Sequence, residues 1–374
     1  MSKPLIILTA GGTGGHVFPA EALARVLAAR GYPLALVTDR RGTSYRGALA
    51  EIETHHLPVT PLGGGIAQRL RGGFDLAIST VRARGLLRRL KASVVIGFGG
   101  YPSLPAMFAA VQRGIPTALH EQNAVLGRAN RLLAKRVSAI ATAFSHVAGL
   151  PEGARVTLTG NPVRPAALAV RQTAYEAPAP GGTLRILVTG GSQGAQIFSK
   201  VVPAAVASLP AEQRGRLSIV QQCRPEDIDA ARTAYAAAGV QAELDTFFED
   251  LPARLAHTSL AICRAGASTV AELGVIGRPA VLVPYPFAMD DHQTSNAAAL
   301  ADAGAGWLIP NREFTPEALA KRLLSFLADP VPLGRAAAAA RALGRPDAAE
   351  RLADMVTGLA PANGNTRQPT EKAA

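Results

Sequence analysis

Two short strings, Thr9-Ala10-Gly11-Gly12-Thr13-Gly14 and Thr189-Gly190-Gly191-Ser192-Gln193-Gly194, stand 180 residues apart, each directly after a run of apolar residues. Glycines at the end of a buried strand let the chain turn sharply into a helix, the opening of a βαβ unit. The interval is too long for a solenoid repeat. It predicts that the 374-residue chain folds as two domains of similar design, each beginning with the same strand–turn–helix step.

The rest of the chain repeats that pattern. LIILTAGG, PLALVTD, VVIGFGG, PTALHEQ and AIATAF in the first half, and LRILVTGG, LSIVQQC, LAICRAG and PAVLVPY in the second, read as short continuous apolar strands between alanine-rich helical stretches. Strands apolar on both faces and separated by helices form parallel sheets covered on two sides, so the fold class is α/β with two Rossmann-like domains. The seam falls near Asn161-Pro162-Val163-Arg164-Pro165, followed by a Pro/Gly-rich loop at Ala177–Gly182. The expected division is 1–164, 165–345, a helix over 346–360 that packs back on the first domain, and a polar, aperiodic tail over 361–374 expected to be disordered.

Two cysteines, Cys223 and Cys263, exclude a disulfide framework and a cysteine-based zinc site. The N-terminus passes directly into a strand and lacks the features of a signal peptide, so the cytoplasm is expected. The charge-free run Ser93–Gln112 contains Gly97, Gly99, Gly100, Pro102 and Pro105 and is no membrane-spanning helix. A net charge of +12 favours an anionic partner: nucleic acid, a phosphorylated ligand or an acidic membrane.

Open parallel sheets bind ligands beyond the carboxyl ends of their strands, where a glycine turn exposes backbone N–H groups and the positive end of a helix. Gly11–Gly15, Gly97–Gly100, Gly190–Gly194 and the turn at Gly266 qualify. The same glycines also serve a plain tight turn. A dinucleotide fingerprint is the rival reading: Gly12-Thr13-Gly14 fits and Asp39 stands where a ribose-binding acid belongs, but Val17 replaces the third glycine. No glycine loop is followed by Gly-Lys-Ser/Thr, so a Walker A loop is absent.

An ordered set of strings then becomes specific. Gly11-Gly12-Thr13-Gly14-Gly15-His16-Val17-Phe18-Pro19, Gly97-Phe98-Gly99-Gly100-Tyr101, His120-Glu121-Gln122-Asn123, Gly160-Asn161-Pro162-Val163-Arg164, Gly190-Gly191-Ser192-Gln193-Gly194-Ala195, the run Cys263–Glu272, and His292-Gln293-Thr294-Ser295-Asn296-Ala297 occur in that order. Together, over about residues 4–355, they resemble the peptidoglycan glycosyltransferases that add N-acetylglucosamine (GlcNAc) to lipid I. The resemblance implies a GT-B fold, two Rossmann-like domains facing across a cleft. It implies metal-independent transfer of GlcNAc, with inversion, from UDP-GlcNAc to the muramyl 4-hydroxyl of undecaprenyl-pyrophosphoryl-MurNAc-pentapeptide, with no cofactor.

It also implies roles residue by residue. Glu272 would accept both ribose hydroxyls, Arg164 would meet the diphosphate, and Ser192 with its neighbouring N–H groups would meet it too. Thr13, Gly14 and Gly15, Asn123, and the string Ala267, Ser268, Thr269, Val270 and Ala271 fall on the donor side, as does Phe248 near uracil. Gln293 and Asn296, three residues apart and on one face if helical, would read the sugar hydroxyls, with a one-residue register left open by Asp290-Asp291-His292. Gly99, Gly100 and Tyr101 fall on the acceptor side. His16, which titrates in a useful range, and Glu121 compete as general base. Ordinary structural duties compete for all of these: helix-dipole complementation for Glu272, a solvated linker charge for Arg164, an N-cap for Ser192, a structural ring for His16, core for Phe248.

Asp227-Ile228-Asp229 is the only D-x-D string and reads as an acid-loaded helix start rather than a metal bridge; His55 and His56, adjacent in an extended segment, point apart. Between Ile66 and Lys91, seven basic residues (Arg69, Arg71, Arg82, Arg84, Arg88, Arg89, Lys91) face one acid, Asp75, interleaved with Phe74, Ile78, Val81, Leu86, Leu87 and Leu90. Such a segment suits an anionic membrane surface, or a surface helix with its apolar side on the core. The lipid-linked acceptor favours the former, at the cytoplasmic face of the inner membrane, with the protein bound peripherally. Nucleic acid is not expected: aromatics are 5% and no recognition module is present. Three rival functions remain: a GT-B transferase with another acceptor, a nucleotide-sugar binder without chemistry, and a nicotinamide oxidoreductase.

Overall fold

The computed structural model describes residues 3–11, 14–39, 47–59, 65–191 and 194–361, with residues 66–70 described by their backbone. The first sheet holds β1 (Ile6–Thr9), β2 (Leu34–Thr38), β3 (Glu53–His56), β4 (Val94–Gly97), β5 (Thr117–Glu121), β6 (Ala139–Thr142) and β7 (Val156–Leu158) in the order β3-β2-β1-β4-β5-β6-β7. The second holds β8 (Leu184–Thr189), β9 (Leu217–Gln222), β10 (Ala242–Asp245), β11 (Leu260–Cys263), β12 (Ala280–Leu282) and β13 (Gly306–Leu308) in the order β10-β9-β8-β11-β12-β13. The pairings are parallel; Ile6 lies between Leu34 and Val94, and Ile186 between Ile219 and Leu260. This is the GT-B architecture, two doubly wound sheets.

In the first lobe the helices are α1 (Gly14–Ala29), α2 (Ile66–Arg89), α3 (Leu104–Gln112) and α4 (Arg128–Leu133). The chain continues through α5 (Pro165–Ala169), α6 (Gln196–Ala207), α7 (Ala211–Arg214), α8 (Ile228–Ala237), α9 (Leu251–Ala256), α10 (Ala267–Ile276), α11 (His292–Asp302), α12 (Pro316–Ala328) and α13 (Val331–Leu343). Finally α14 (Ala348–Thr357) returns to the first lobe, where Leu352, Ala353 and Val356 join a core with Leu8, Leu23 and Ile96, and Asp354 accepts a bond from Arg30 at 2.6 Å. The outward and return crossings touch: Gly160 adopts φ +85°, and a Cβ there would lie 2.8 Å from the Cβ of Arg345.

Four strands escape the apolar-run reading: β3, β7, β10 and β13. All are sheet edges with one flank unpaired, where a polar sequence (β3, β10) or a three-residue one (β7, β13) suffices. His55 and His56 lie in β3 and diverge, His55 toward Glu53 at 3.2 Å and His56 donating to the Asp39 carbonyl at 3.1 Å. Asp227 and Asp229 also part: Asp227 is buried beside Gln196, whereas exposed Asp229 accepts from Arg232.

The basic segment is α2, and its apolar residues divide. Ala83 and Leu87 are buried, with Leu76, Leu86 and Leu90 packed against the same core, whereas Phe74, Ile78 and Val81 remain exposed among Arg71, Arg82, Arg84, Arg88 and Arg89. Three of the six apolar residues read as membrane-facing are therefore exposed, and the three leucines serve the core. No helix among the described residues is long and apolar enough to cross a membrane. The tail reading falls on 362–374, outside the described residues.

Candidate active site

Each sheet reverses its winding at its first strand, and the glycine turns flank those two points. One turn follows β1 and one follows β4; in the second lobe one follows β8 and one follows β11. The crevice outside such a switch point is where doubly wound sheets bind ligands. Gly14 and Gly15 open α1; Thr13 and Ser192 lie outside the described residues. After β4, Gly99 and Gly100 adopt φ +91° and +74°, conformations that favour glycine. They also make room: a Cβ on Gly99 would lie 3.2 Å from the His16 ring and one on Gly100 3.4 Å from it. His16, from the first turn of α1, thus rests on the Gly99–Gly100 backbone, with half-buried Tyr101 next in the chain.

His16 Nδ1 lies 3.2 Å from Gln122 Oε1. Gln122 Nε2 is 3.0 Å from the carbonyls of Phe98 and His120 and from His120 Nδ1, and His120 Nε2 donates to the Gly160 carbonyl at 3.0 Å. Burial dominates both rings. It pushes His120 down to about 4, against the opposing bond to Gly160, and holds His16 below its ordinary 6.5, against the Glu121 charge and the Gln122 bond.

Glu121 is differently placed. Its side chain is buried and its oxygens are filled: Oε1 accepts from Asn123 N at 3.1 Å and Asn123 Nδ2 at 3.3 Å, and Oε2 from Gly127 N at 2.9 Å and Asn130 Nδ2 at 2.8 Å. A carboxylate with four donors braces its loop and has little lone-pair capacity left for a substrate proton.

In the second lobe α10 begins directly after Gly266, so the first N–H groups of a ten-residue helix lie at the end of β11. The Ser268 hydroxyl is buried there without a hydrogen-bond partner among the described residues. Thr269 and Ala271 are half-buried; Ala267 and Val270 are buried. Further along, Glu272 accepts a two-pronged bond from Arg164, Nε to Oε1 at 2.7 Å and Nη2 to Oε2 at 2.8 Å, which raises the guanidinium pKa. Phe18 of α1 places its ring 5.5 Å from the same guanidinium. Phe248 is buried under Arg254, whose guanidinium is 4.4 Å from the ring centre.

Gln293 and Asn296 lie in α11, and both are engaged. Gln293 Oε1 accepts from Ala265 N at 3.2 Å and Tyr285 N at 2.9 Å. Fully buried Asn296 joins the lobes: Oδ1 accepts from Ala124 N at 2.8 Å, while Nδ2 donates to Asn123 Oδ1 at 3.1 Å and Ala265 O at 3.0 Å. Nearby, Arg128 donates to Asp290 at 2.8 Å and Arg131 does so at 3.4 Å. Asp290 and Asp291 both have positive φ, so this corner between Ala288 and α11 is strained backbone held by its contacts. The structure therefore brings His16, Glu121, Asn123, Arg164, Glu272 and Asn296 into one interlobe zone, whereas Phe248 lies in the second lobe with its ring buried beneath Arg254.

Sequence reasoning gave no role to Gln122, Asn130, Phe18, Arg128 or Asp290. Gln122 stood within a quoted motif, but apart from His120 its partners are His16 of α1 and Phe98 just after β4, invisible locally. Phe18 also stood within a quoted motif, but its partner Arg164 comes from the seam and is invisible locally.

The two switch points define a GT-B protein, two Rossmann-like lobes with a crevice at the switch point of each sheet. The chain matches the glycosyltransferase family 28 N-terminal domain over residues 6–142 and the glycosyltransferase family 28 C-terminal domain over residues 185–352. It is 59% identical, over 96% of each chain, to the UDP-N-acetylglucosamine--N-acetylmuramyl-(pentapeptide) pyrophosphoryl-undecaprenol N-acetylglucosamine transferase of Rhodospirillum centenum. To the protein of the same description in Paramagnetospirillum magneticum it is 55% identical, over 96% of this chain and 98% of that one. The crystal structure of Acinetobacter baumannii MurG superposes with a TM-score of 0.77 at 32% identity, over 95% of this chain and 99% of that one. The kitacinnamycin glycosyltransferase structure, at 19% identity and a TM-score of 0.68 over 96% of this chain and all of that one, shares the fold. The chain belongs to the MurG family of N-acetylglucosamine transferases within glycosyltransferase family 28.

Proposed function

We propose that this protein transfers GlcNAc from UDP-GlcNAc to the muramyl 4-hydroxyl of lipid I, giving lipid II and UDP in peptidoglycan synthesis. The observation that carries the reading is the juxtaposition, in a chain of this family, of the Arg164–Glu272 pair and the α10 N-terminus with His16 across the seam. Glu272 takes the ribose hydroxyls. Arg164, the N–H groups of the glycine turn after β8 and the start of α10 take the diphosphate. The acceptor oxygen attacks C1 from the face opposite UDP; the new C1–O bond forms as the C1–O bond to the diphosphate breaks, which inverts the centre. The electron pair leaves on the diphosphate, where cationic and N–H groups stabilise it. The acceptor proton passes to His16, which burial keeps neutral and able to accept it; Glu121, saturated by four donors, holds the loop that carries Gln122 and Asn123.

Facing the lipid-linked substrate is the exposed side of α2. Phe74, Ile78 and Val81 sit among arginines there, a composition that binds an anionic bilayer with apolar groups immersed and about 1 kcal/mol per basic residue near the surface. The expected location is peripheral, on the cytoplasmic face of the inner membrane. The test is direct: purified protein with UDP-GlcNAc and a lipid I analogue yields lipid II and UDP in equal amounts. Stoichiometric UDP-GlcNAc binding with no UDP release across several analogues overturns the reading.

A further inference from the structure

We propose that Gln122 is a positioning residue that fixes the proton of neutral His16 on Nδ1 and so presents Nε2 as the lone pair that receives the acceptor proton; the catalytic part of this inference rests on the function proposed above. The argument begins with the amide itself. Gln122 Nε2 lies 3.0 Å from two carbonyl oxygens, those of Phe98 and His120, and only the NH2 end of an amide can face carbonyl oxygens. The orientation of the amide is thereby determined, and Oε1 must be the atom 3.2 Å from His16 Nδ1. Oε1 only accepts, so Nδ1 must carry the hydrogen, and in a neutral imidazole the lone pair is then on Nε2.

The next link points the same way. His120 Nε2 faces the Gly160 carbonyl and must donate, which makes His120 Nδ1 an acceptor for the same Gln122 NH2 group. Gln122 is buried and His120 fully so. The relay runs from Gly160, at the outward crossing between the lobes, through His120 and Gln122 to His16; the two hydrogens of the Gln122 NH2 group are shared among the Phe98 and His120 carbonyls and His120 Nδ1, while its Oε1 accepts from His16. The Phe98 backbone also bonds the His16 ring, and the charged or titratable groups that bear on it are Glu121 and His120 from β5 and His292 at the start of α11.

The test uses the full-length protein with its histidines labelled with 15N. In the wild type above pH 7, His16, assigned by comparison with His16→Asn, gives the shifts of an Nδ1–H, Nε2-unprotonated ring. In Gln122→Met, similar in length but unable to accept the bond, the ring shifts toward the Nε2–H form. Its kcat falls about 10- to 100-fold, at most the lower end of the ~10²–10⁴ that a general base supplies because the ring itself remains, while the KM for UDP-GlcNAc stays within about twofold of wild type. Gln122→Asn retains the amide but is too short to span both sides and behaves as Gln122→Met does. A wild-type His16 protonated on Nε2 overturns the proposal outright. So does a Gln122→Met enzyme whose ring spectrum and kcat are unchanged. If instead His16→Asn keeps full activity while the wild-type ring is the Nδ1–H form, the base reading fails and the tautomer assignment stands, so the two failures are distinguishable.

Discussion

The Arg164–Glu272 pair creates a conflict that donor binding must resolve. Both Glu272 oxygens are occupied by Arg164, yet the proposed mechanism gives those oxygens to ribose and the guanidinium to diphosphate. The pair must therefore part when donor binds, and its strength is subtracted from donor affinity. Breaking a fully buried ion pair costs about 3–5 kcal/mol and an exposed one about 0–1 kcal/mol. Here the glutamate side chain is 7% exposed and the arginine 30%, so an intermediate value of about 2 kcal/mol is appropriate, or about 30-fold in a dissociation constant. The consequence is a definite sign of non-additivity. Arg164→Met loses the diphosphate contact but relieves the pair, and Glu272→Gln loses the ribose contact but relieves it as well. The double variant loses both contacts and gains that relief only once. Its UDP affinity should therefore fall about 30-fold further than the product of the two single losses. Isothermal titration calorimetry with UDP, in the absence of acceptor, measures all four constants. Simple additivity would mean that the pair survives in the complex, and the assigned roles of the two residues would then be wrong.

Four other outcomes follow from the same structure. His16 is held below 6.5 chiefly by burial, so the acid limb of kcat should have its midpoint below pH 6.5, and Glu121→Gln should move it lower still by removing a charge that raises it; a wild-type midpoint above 6.5 refutes this. His120 titrates near 4 when folded and near 6.5 when unfolded, so stability is full above pH 6.5 and declines as acid protonates the unfolded chain, reaching a loss of about 3 kcal/mol by pH 4. Urea midpoints taken across that window, with His120→Gln flattening the slope, check it. Fully buried Arg278 donates to the carbonyls of Thr173, Ala174, Ala256, Ile276 and Gly277, tying the interlobe connection to the ends of α9 and α10. Arg278→Met should destabilise the second lobe by about 3–5 kcal/mol in denaturant unfolding. Replacing Phe74, Ile78 and Val81 by serine should weaken sedimentation with anionic vesicles by at least tenfold and leave UDP affinity unchanged; retained vesicle binding would move the membrane face elsewhere.

The sequence alone determined the α/β class, the two-lobe design, the central strands and the glycine turns, because each rests on a local rule. A central parallel strand must be apolar on both faces, and a strand-to-helix turn that crowds its neighbours needs glycine. It also marked Asp227 as a helix start and gave Gln293 and Asn296 a common face on condition that their segment is helical, a condition the structure meets with α11. What the sequence did not contain is whatever depends on a partner distant in the chain. The edge strands β3, β7, β10 and β13 are short or polar because half their surroundings are solvent, so their pairing follows from the neighbouring strand rather than from their own pattern. The division of α2 into core-packed leucines and an exposed Phe74–Ile78–Val81 side is decided by α3 and the sheet beneath it. Only tertiary structure puts Glu121 beneath four donors, joins Asn296 to Ala124 across 172 positions of sequence, and closes Arg164 on Glu272 across 108. Local composition sets the conformations a segment can adopt, whereas a proton's position or an ion pair's strength depends on burial and on atoms brought together from remote parts of the chain.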